Sequence, residues 1–265
     1  MATSNIDQQD PMATVNDSIF EEEEDSDESA MSLVEHLEEL RWRILKCLIA
    51  IAVGSIVAFI FREPIMAFLT LPLPKEAADS LTHGKLAVTG LAEGFTVYLK
   101  LSIAVGFLIG LPVILYQVWA FISPGLYERE KKHAVPFIII GMVLFLAGIA
   151  LGFIVLQYPV QWLINFASSS FAVLLTADSY FTFTAFFLLA FGIVFEIPLV
   201  LTFLAQIGLV TSQTLRKKRP VAYIGMWVAA TFLTPGADIY SPIILGITMS
   251  FLYELTIVFI RITKH

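Results

Sequence analysis

The stretch from Ala134 to Tyr158 contains no charged residue, and several other segments of this chain read the same way. A hydrocarbon core of roughly 30 Å needs about 20 apolar residues in one helix to cross it. Six segments are candidates: Ile44–Phe61, Val97–Ile122, Ala134–Tyr158, Phe181–Ile207, Val221–Leu233 and Ile239–Ile260. So much oil cannot be hidden in one soluble core. Hydrophobic residues make up 57% of the 265-residue chain, charged residues only 15%, and the mean hydropathy is +0.80. An ordinary soluble domain is about half apolar and a quarter charged. A water-soluble enzyme is therefore excluded, and the expectation is an all-α polytopic membrane protein with six transmembrane helices across residues 31–265.

The net charge of −7 belongs to one end. Residues 1–30 hold ten acids and no Lys or Arg; the remaining 235 residues hold 13 acids and 16 bases. Those first 30 residues have too little apolar surface to offset ordering entropy, and they lack the basic and apolar regions of a signal peptide. They are expected to form a disordered acidic tail. Order should begin at Ser32, where Ser32 and Glu35 have capping-box spacing. Leu33, Leu37, Leu40 and Ile44 then follow at helical spacing, with Glu35, Glu39 and Arg43 on the opposite face. This reads as an amphipathic surface helix running into the first span, with Trp42 at the interface.

Basic residues orient the spans. Twelve (Arg41, Arg43, Lys46, Arg129, Lys131, Lys132, Arg216, Lys217, Lys218, Arg219, Arg261, Lys264) fall on one side and four (Arg62, Lys75, Lys85, Lys100) on the other. By the positive-inside rule both termini are cytoplasmic. Val221–Leu233 is too short to cross an ordinary bilayer unaided, which implies local thinning or a start within the basic cluster. The outer segments Arg62–Phe95 and Pro159–Tyr180 are apolar enough to be structured caps. Pro136 and Pro220 suit first helical turns, Pro159 suits an exit, and Gly110-Leu111-Pro112 should break the second span and make the bundle concave.

Few polar residues lie in the oil. Glu196, beside Pro198, is either a proton-linked or substrate-contacting carboxyl or a neutral one bonded to the Val194 carbonyl that Pro198 frees. Thr182, Thr184, Thr202 and Gln206 on the same span read as packing glue. Asp238 should cap the sixth span, and Glu254 should snorkel or pair with a Lys near its cytoplasmic end. No nucleophile–base grouping, metal-ligand cluster or phosphate-binding Gly loop is evident, so no enzyme activity, cofactor, metal or nucleic-acid partner is expected. The single Cys47 excludes an internal disulfide framework.

Four strings carry a resemblance. They are His36-Leu37-Glu38-Glu39-Leu40-Arg41, the run Leu115-Tyr116-Gln117-Val118-Trp119-Ala120-Phe121-Ile122 leading to Tyr127-Glu128-Arg129-Glu130, then Phe191-Gly192-Ile193-Val194-Phe195-Glu196-Ile197-Pro198, and Leu215-Arg216-Lys217-Lys218-Arg219-Pro220. Over about residues 32–262 the chain resembles the TatC family, the large membrane subunit of twin-arginine protein translocase. The resemblance implies a receptor in the cell (inner) membrane, with the thylakoid membrane as the alternative. It implies binding of twin-arginine signal peptides and export of folded proteins by the proton-motive force. Glu39 and Glu130 would receive the signal's arginine pair, with Leu33, Leu37 and Phe121 as apolar contacts. Glu196 matches the family's intramembrane glutamate. Met226, Leu233 and Thr234 fall on the docking surface for single-span TatA- and TatB-type partners in an oligomeric complex. Pro242 stands where the family commonly has Gln. The competing reading from residues alone is a proton-coupled small-solute transporter using Glu196.

Overall fold

A computed structural model describes residues 33–73, 86–122, 134–171, 173–235 and 238–263. The acidic tail, the Ser32 side of the capping box, and Glu130 with its basic neighbours lie outside the described residues. Every regular element among those described is helical: α1 (Leu33–Ile60), α2 (Arg62–Leu69), α3 (Glu93–Ile122), α4 (Ala134–Val155), α5 (Gln157–Ser168), α6 (Ala177–Phe195), α7 (Ile197–Gln206), α8 (Ser212–Lys217), α9 (Arg219–Leu233) and α10 (Tyr240–Thr263). The chain divides into a first unit ending at Ile44 and a second from Leu45 to His265.

In the second unit α3, α4 and α6 pack on one another, and α10 packs on α7, α8 and α9. The core is a belt of aromatics and aliphatics, with Phe181, Phe187, Phe191 and Val194 of α6 meeting Leu245, Met249 and Leu252 of α10 in one cluster. Outward faces stay apolar as well, as they must when lipid is the solvent. Ile56, Ile139, Ile224, Phe232 and Phe251 are all exposed.

Five helical stretches are long and apolar enough to cross a membrane: 36–60, 93–122, 134–168, 177–206 and 240–263. The fifth segment read from sequence becomes α9, 15 residues or about 22 Å at the usual helical rise. It starts at Arg219, within the basic cluster, with Pro220 in its first turn.

Prolines act differently from expectation at two places. Gly110-Leu111-Pro112 does not break α3, which runs continuously through Pro112. Gly110 serves instead as a contact: a Cβ there would sit 3.3 Å from the Ala50 carbonyl carbon of α1. Pro159 does not mark an exit either. It sits in the first turn of α5, a position that needs no N–H, and that helix follows α4 after one intervening residue, Leu156.

The end of the bundle carrying α2 and α5 is tied down by polar contacts. Ala87 forms an isolated parallel bridge with Thr176. The Glu93 carboxylate accepts from the Thr89 amide at 2.5 Å, the Thr89 hydroxyl at 2.7 Å and the Gly90 amide at 3.0 Å. Lys100 donates to Asp178 at 2.6 Å, and the Tyr180 hydroxyl donates to the Leu69 carbonyl at 2.8 Å. These bonds tie the C-terminal end of α2 and residues 86–90 to α3 and to the start of α6.

Candidate functional site: carboxyl groups on α1 and between α6 and α7

In the first unit Glu39 lies one turn before Arg43 on α1. Arg43 donates from Nε to Glu39 Oε1 at 3.0 Å, and its Nη2 donates to the same oxygen. Both guanidinium bonds therefore fall on one carboxylate oxygen. Glu39 Oε2 has no hydrogen-bond partner among the described residues, though His36 Nδ1 approaches to 3.7 Å. A carboxylate has about four lone-pair sites, so Glu39 has acceptor capacity beyond the Arg43 guanidinium, but Oε2 is buried and meets a second donor only if the side chain turns. Leu37, two residues before it, is exposed, as is Trp42. Leu33 is in the first turn of the helix. In the second unit Phe121 is half-buried in the last turn of α3. Glu130 falls outside the described residues, so its distance from Glu39 is not part of this geometry.

Glu196 stands between α6 and α7, where Pro198 sits in the first turn of the new helix. Its own amide bonds Ile193 O at 3.0 Å, a tightened turn, and its carbonyl receives the Val200 amide at 3.0 Å. The side chain makes no hydrogen bond among the described residues, and Oε1 is buried. The bond to the Val194 carbonyl considered from sequence is absent among those residues. Oε2 instead approaches α4, 3.3 Å from where a Cβ on Gly141 would lie, with Leu115 and Leu199 alongside. An unpartnered carboxyl in apolar surroundings is costly unless it is neutral or finds a partner.

The three positions expected to dock partners divide. Leu233 is exposed, but Met226 packs into the core and Thr234 is buried with its hydroxyl on the Ala230 carbonyl at 3.0 Å. The outward face of α9 is Val221, Ile224, Val228 and Phe232. The sequence pattern hid this because α9 is apolar on both faces.

One arrangement went unseen in the sequence. Glu254 pairs with Arg219 rather than a lysine: Arg219 Nη2 donates to Oε2 at 2.5 Å, and the Tyr223 hydroxyl donates to Oε1 at 2.5 Å. The basic cluster before α9 and the lone acid of α10 are 35 residues apart, so no local spacing signals the pairing. Asp238 behaves as expected, accepting from the Ser241 amide at 2.6 Å at the start of α10. Its other oxygen is buried without a partner among the described residues. Pro242 sits beside this cap, in the first turn of α10.

The family model for Sec-independent protein translocase protein (TatC) matches residues 35–247. The TatC protein of Desulforapulum autotrophicum is 38% identical over 237 residues, covering 89% of this chain and 86% of that protein. The TatC protein of Escherichia coli strain K12 is 35% identical over 235 residues, covering 88% and 90%. A crystal structure of the twin-arginine translocase receptor TatC superposes with a TM-score of 0.73 at 32% identity, covering 87% of this chain and all of that one. With its apolar helices, this similarity makes the chain a multi-pass membrane protein and a protein-translocase component. The chain belongs to the TatC family of Sec-independent protein translocase proteins.

Proposed function

We propose that this chain is the receptor subunit of a twin-arginine translocase in the cell membrane. It binds the paired arginines of export signals and assembles with single-span TatA- and TatB-type partners. Folded cargo then moves at the expense of the proton-motive force. Six spans place both termini in the cytoplasm, and Glu39 and Glu130 grip the two arginines with Leu37 and Phe121 contacting the signal's apolar part. The observation that carries this reading is Glu39 itself. It already binds one guanidinium through a single oxygen and leaves the other oxygen without a hydrogen bond. The family membership and the structural likeness to a twin-arginine translocase receptor support it.

A charge-assisted hydrogen bond contributes about 1.5–3 kcal/mol. Removing either carboxylate should weaken a twin-arginine peptide by roughly ten- to a hundredfold. Peptide affinity measured in nanodiscs, with a twin-lysine peptide as comparison, tests this. Glu39→Gln and Glu130→Gln should each lose affinity, while Glu128→Gln binds like the parent. Arg43→Gln separates the receptor role from a mere helix pair: it leaves the Glu39 charge and removes the resident guanidinium that an incoming arginine must displace, so it should bind the peptide at least as tightly as the parent. If both Gln variants at 39 and 130 bind like the parent, the receptor assignment of these carboxylates is wrong.

A further inference from the structure

A second feature at the basic end of the second unit has no place in the receptor reading. An apolar slot of about 540 Å³ is walled by the end of α3, the first half of α4, α7 and the last two turns of α10. Its floor is aromatic: Trp119 packs on Phe137 at 4.9 Å and on Phe203 at 5.4 Å between ring centroids. Three polar groups line it and make no hydrogen bond among the described residues. They are the Trp119 indole N–H, the Thr202 hydroxyl and the Gln206 carboxamide, the last two a single turn apart on α7. Thr256, the fourth polar residue there, is satisfied by the Leu252 carbonyl at 2.7 Å. Donors without acceptors are costly next to hydrocarbon, so an occupant that is apolar along its length and carries acceptors at one end fits this wall.

The slot follows α7 from Pro198 to Gln206, about 12 Å of helix. A transmembrane helix covers roughly 30 Å and would be seated along less than half its length. A single acyl chain is narrow enough, and its glycerol ester carbonyls are acceptors. Basic residues stand on the same helices or their neighbours: Arg261, next to the lining residue Ile262, is exposed in the last turn of α10, and α8, which packs on α10, ends with exposed Arg216 and Lys217. The one acid on that stretch of α10, Glu254, is already engaged by Arg219 and Tyr223.

We infer that this slot holds one acyl chain of an anionic glycerophospholipid. Its ester carbonyls accept from Trp119, Thr202 and Gln206, and its phosphate lies among Arg216, Lys217 and Arg261. The lipid fills the space between α4, α7 and α10 from the bilayer side and so keeps these helices at a fixed spacing.

Brominated acyl chains quench tryptophan on contact, and Trp119 is only 5% exposed, so quenching of this residue reports on the slot. The full chain carrying Trp42→Phe, Trp162→Phe and Trp227→Phe retains Trp119 alone. It is placed in nanodiscs with increasing mole fractions of brominated phosphatidylglycerol or brominated phosphatidylcholine. Quenching should saturate, with half-quenching at a severalfold lower fraction of phosphatidylglycerol. Thr202→Phe, which fills the slot, should abolish the saturable part. Thr202→Val with Gln206→Leu keeps the volume, removes two donors, and should raise the half-quenching fraction about tenfold. Quenching that rises linearly with mole fraction, equally in the parent and in Thr202→Phe, would mean contact with bulk lipid only and overturn the site, as would no quenching at all. Equal half-quenching by the two headgroups would overturn the phosphate assignment.

Discussion

Replacing Gly192 with Ala should destabilise this protein more than a single methyl group suggests. The added Cβ would sit 2.6 Å from Cζ of Phe145, with Cε2 at 2.8 Å and Cε1 at 2.9 Å. Phe145 is 1% exposed and itself rests on Phe107 at 6.0 Å between centroids, so the ring has little room to withdraw. The seam is reciprocal: a Cβ on Gly148 of α4 would meet the Phe191 carbonyl at 2.5 Å and Phe195 Cβ at 2.9 Å. Overpacking of this kind costs about 1–3 kcal/mol. For a chain of this size each kcal/mol shifts the melting temperature by about 2–4 °C. Gly192→Ala should therefore melt about 2–12 °C below the parent in detergent, followed by intrinsic fluorescence. Gly225→Ala on α9 is the opposing control, because nothing lies within 4 Å of its new methyl. Helix propensity alone then favours alanine by up to about 1 kcal/mol. Adding Phe145→Leu to Gly192→Ala should recover part of the loss by vacating the collision. If Gly192→Ala melts within a degree of the parent, or moves in the same direction as Gly225→Ala, the close interlock of α4 and α6 is not what the packing implies.

Three further outcomes follow from the site geometry. Glu254→Gln and Arg219→Gln should be less than additive in a thermal double-mutant cycle, with a coupling of about 0.5–1 kcal/mol for a pair that remains partly exposed; strict additivity would show that the pair does not hold α9 to α10. A photocrosslinker at Ile224 or Phe232 should trap a single-span partner while one at Met226 should not, and efficient trapping from Met226 would contradict its inward placement. Glu196→Gln should insert and bind signal peptide normally yet fail to export cargo, since it preserves shape but cannot ionise; full export by this variant would assign Glu196 a merely structural part.

Much of the fold was readable because lipid imposes a simple rule on sequence. Apolar length located α1, α3, α4, α6 and α10, and prolines marked the starts of α4 and α9. What misled was the assumption that Pro and Gly act locally. Pro112 leaves α3 unbroken because a helix loses only one bond there, and Gly110 answers to α1, a neighbour the local sequence does not announce. The outward face of α9 was unreadable for a related reason. In water a buried face is more apolar than an exposed one, but in oil both are apolar, so periodicity cannot choose between Met226 and Ile224. Polar residues were the better guide where they could be paired by eye, as with Asp238 and its own helix. They failed for Arg219, Tyr223 and Glu254, which come together only through the packing of α9 on α10.

The geometry at Glu39 bears on why arginine, rather than any cation, would be the proposed signal. Arg43 occupies one carboxylate oxygen with two N–H donors. An incoming guanidinium that takes over this oxygen exchanges like for like, so its charge and fork geometry cost nothing relative to the resting state. Oε2 is buried without a hydrogen bond, so a turn of the carboxylate that brings it to a further donor of the incoming group would add a bond, and that bond is the net gain. A lysine ammonium presents a point charge with no planar fork. It could displace Arg43 only by giving up paired bonds before forming its own. Binding to Glu39 would thus discriminate by shape on top of charge. Raising salt should weaken twin-arginine and twin-lysine peptides together, because screening acts on charge alone, while the ratio between them persists. A ratio that collapses to one as salt rises would show that the selectivity was only Coulombic and that the Arg43 exchange plays no part.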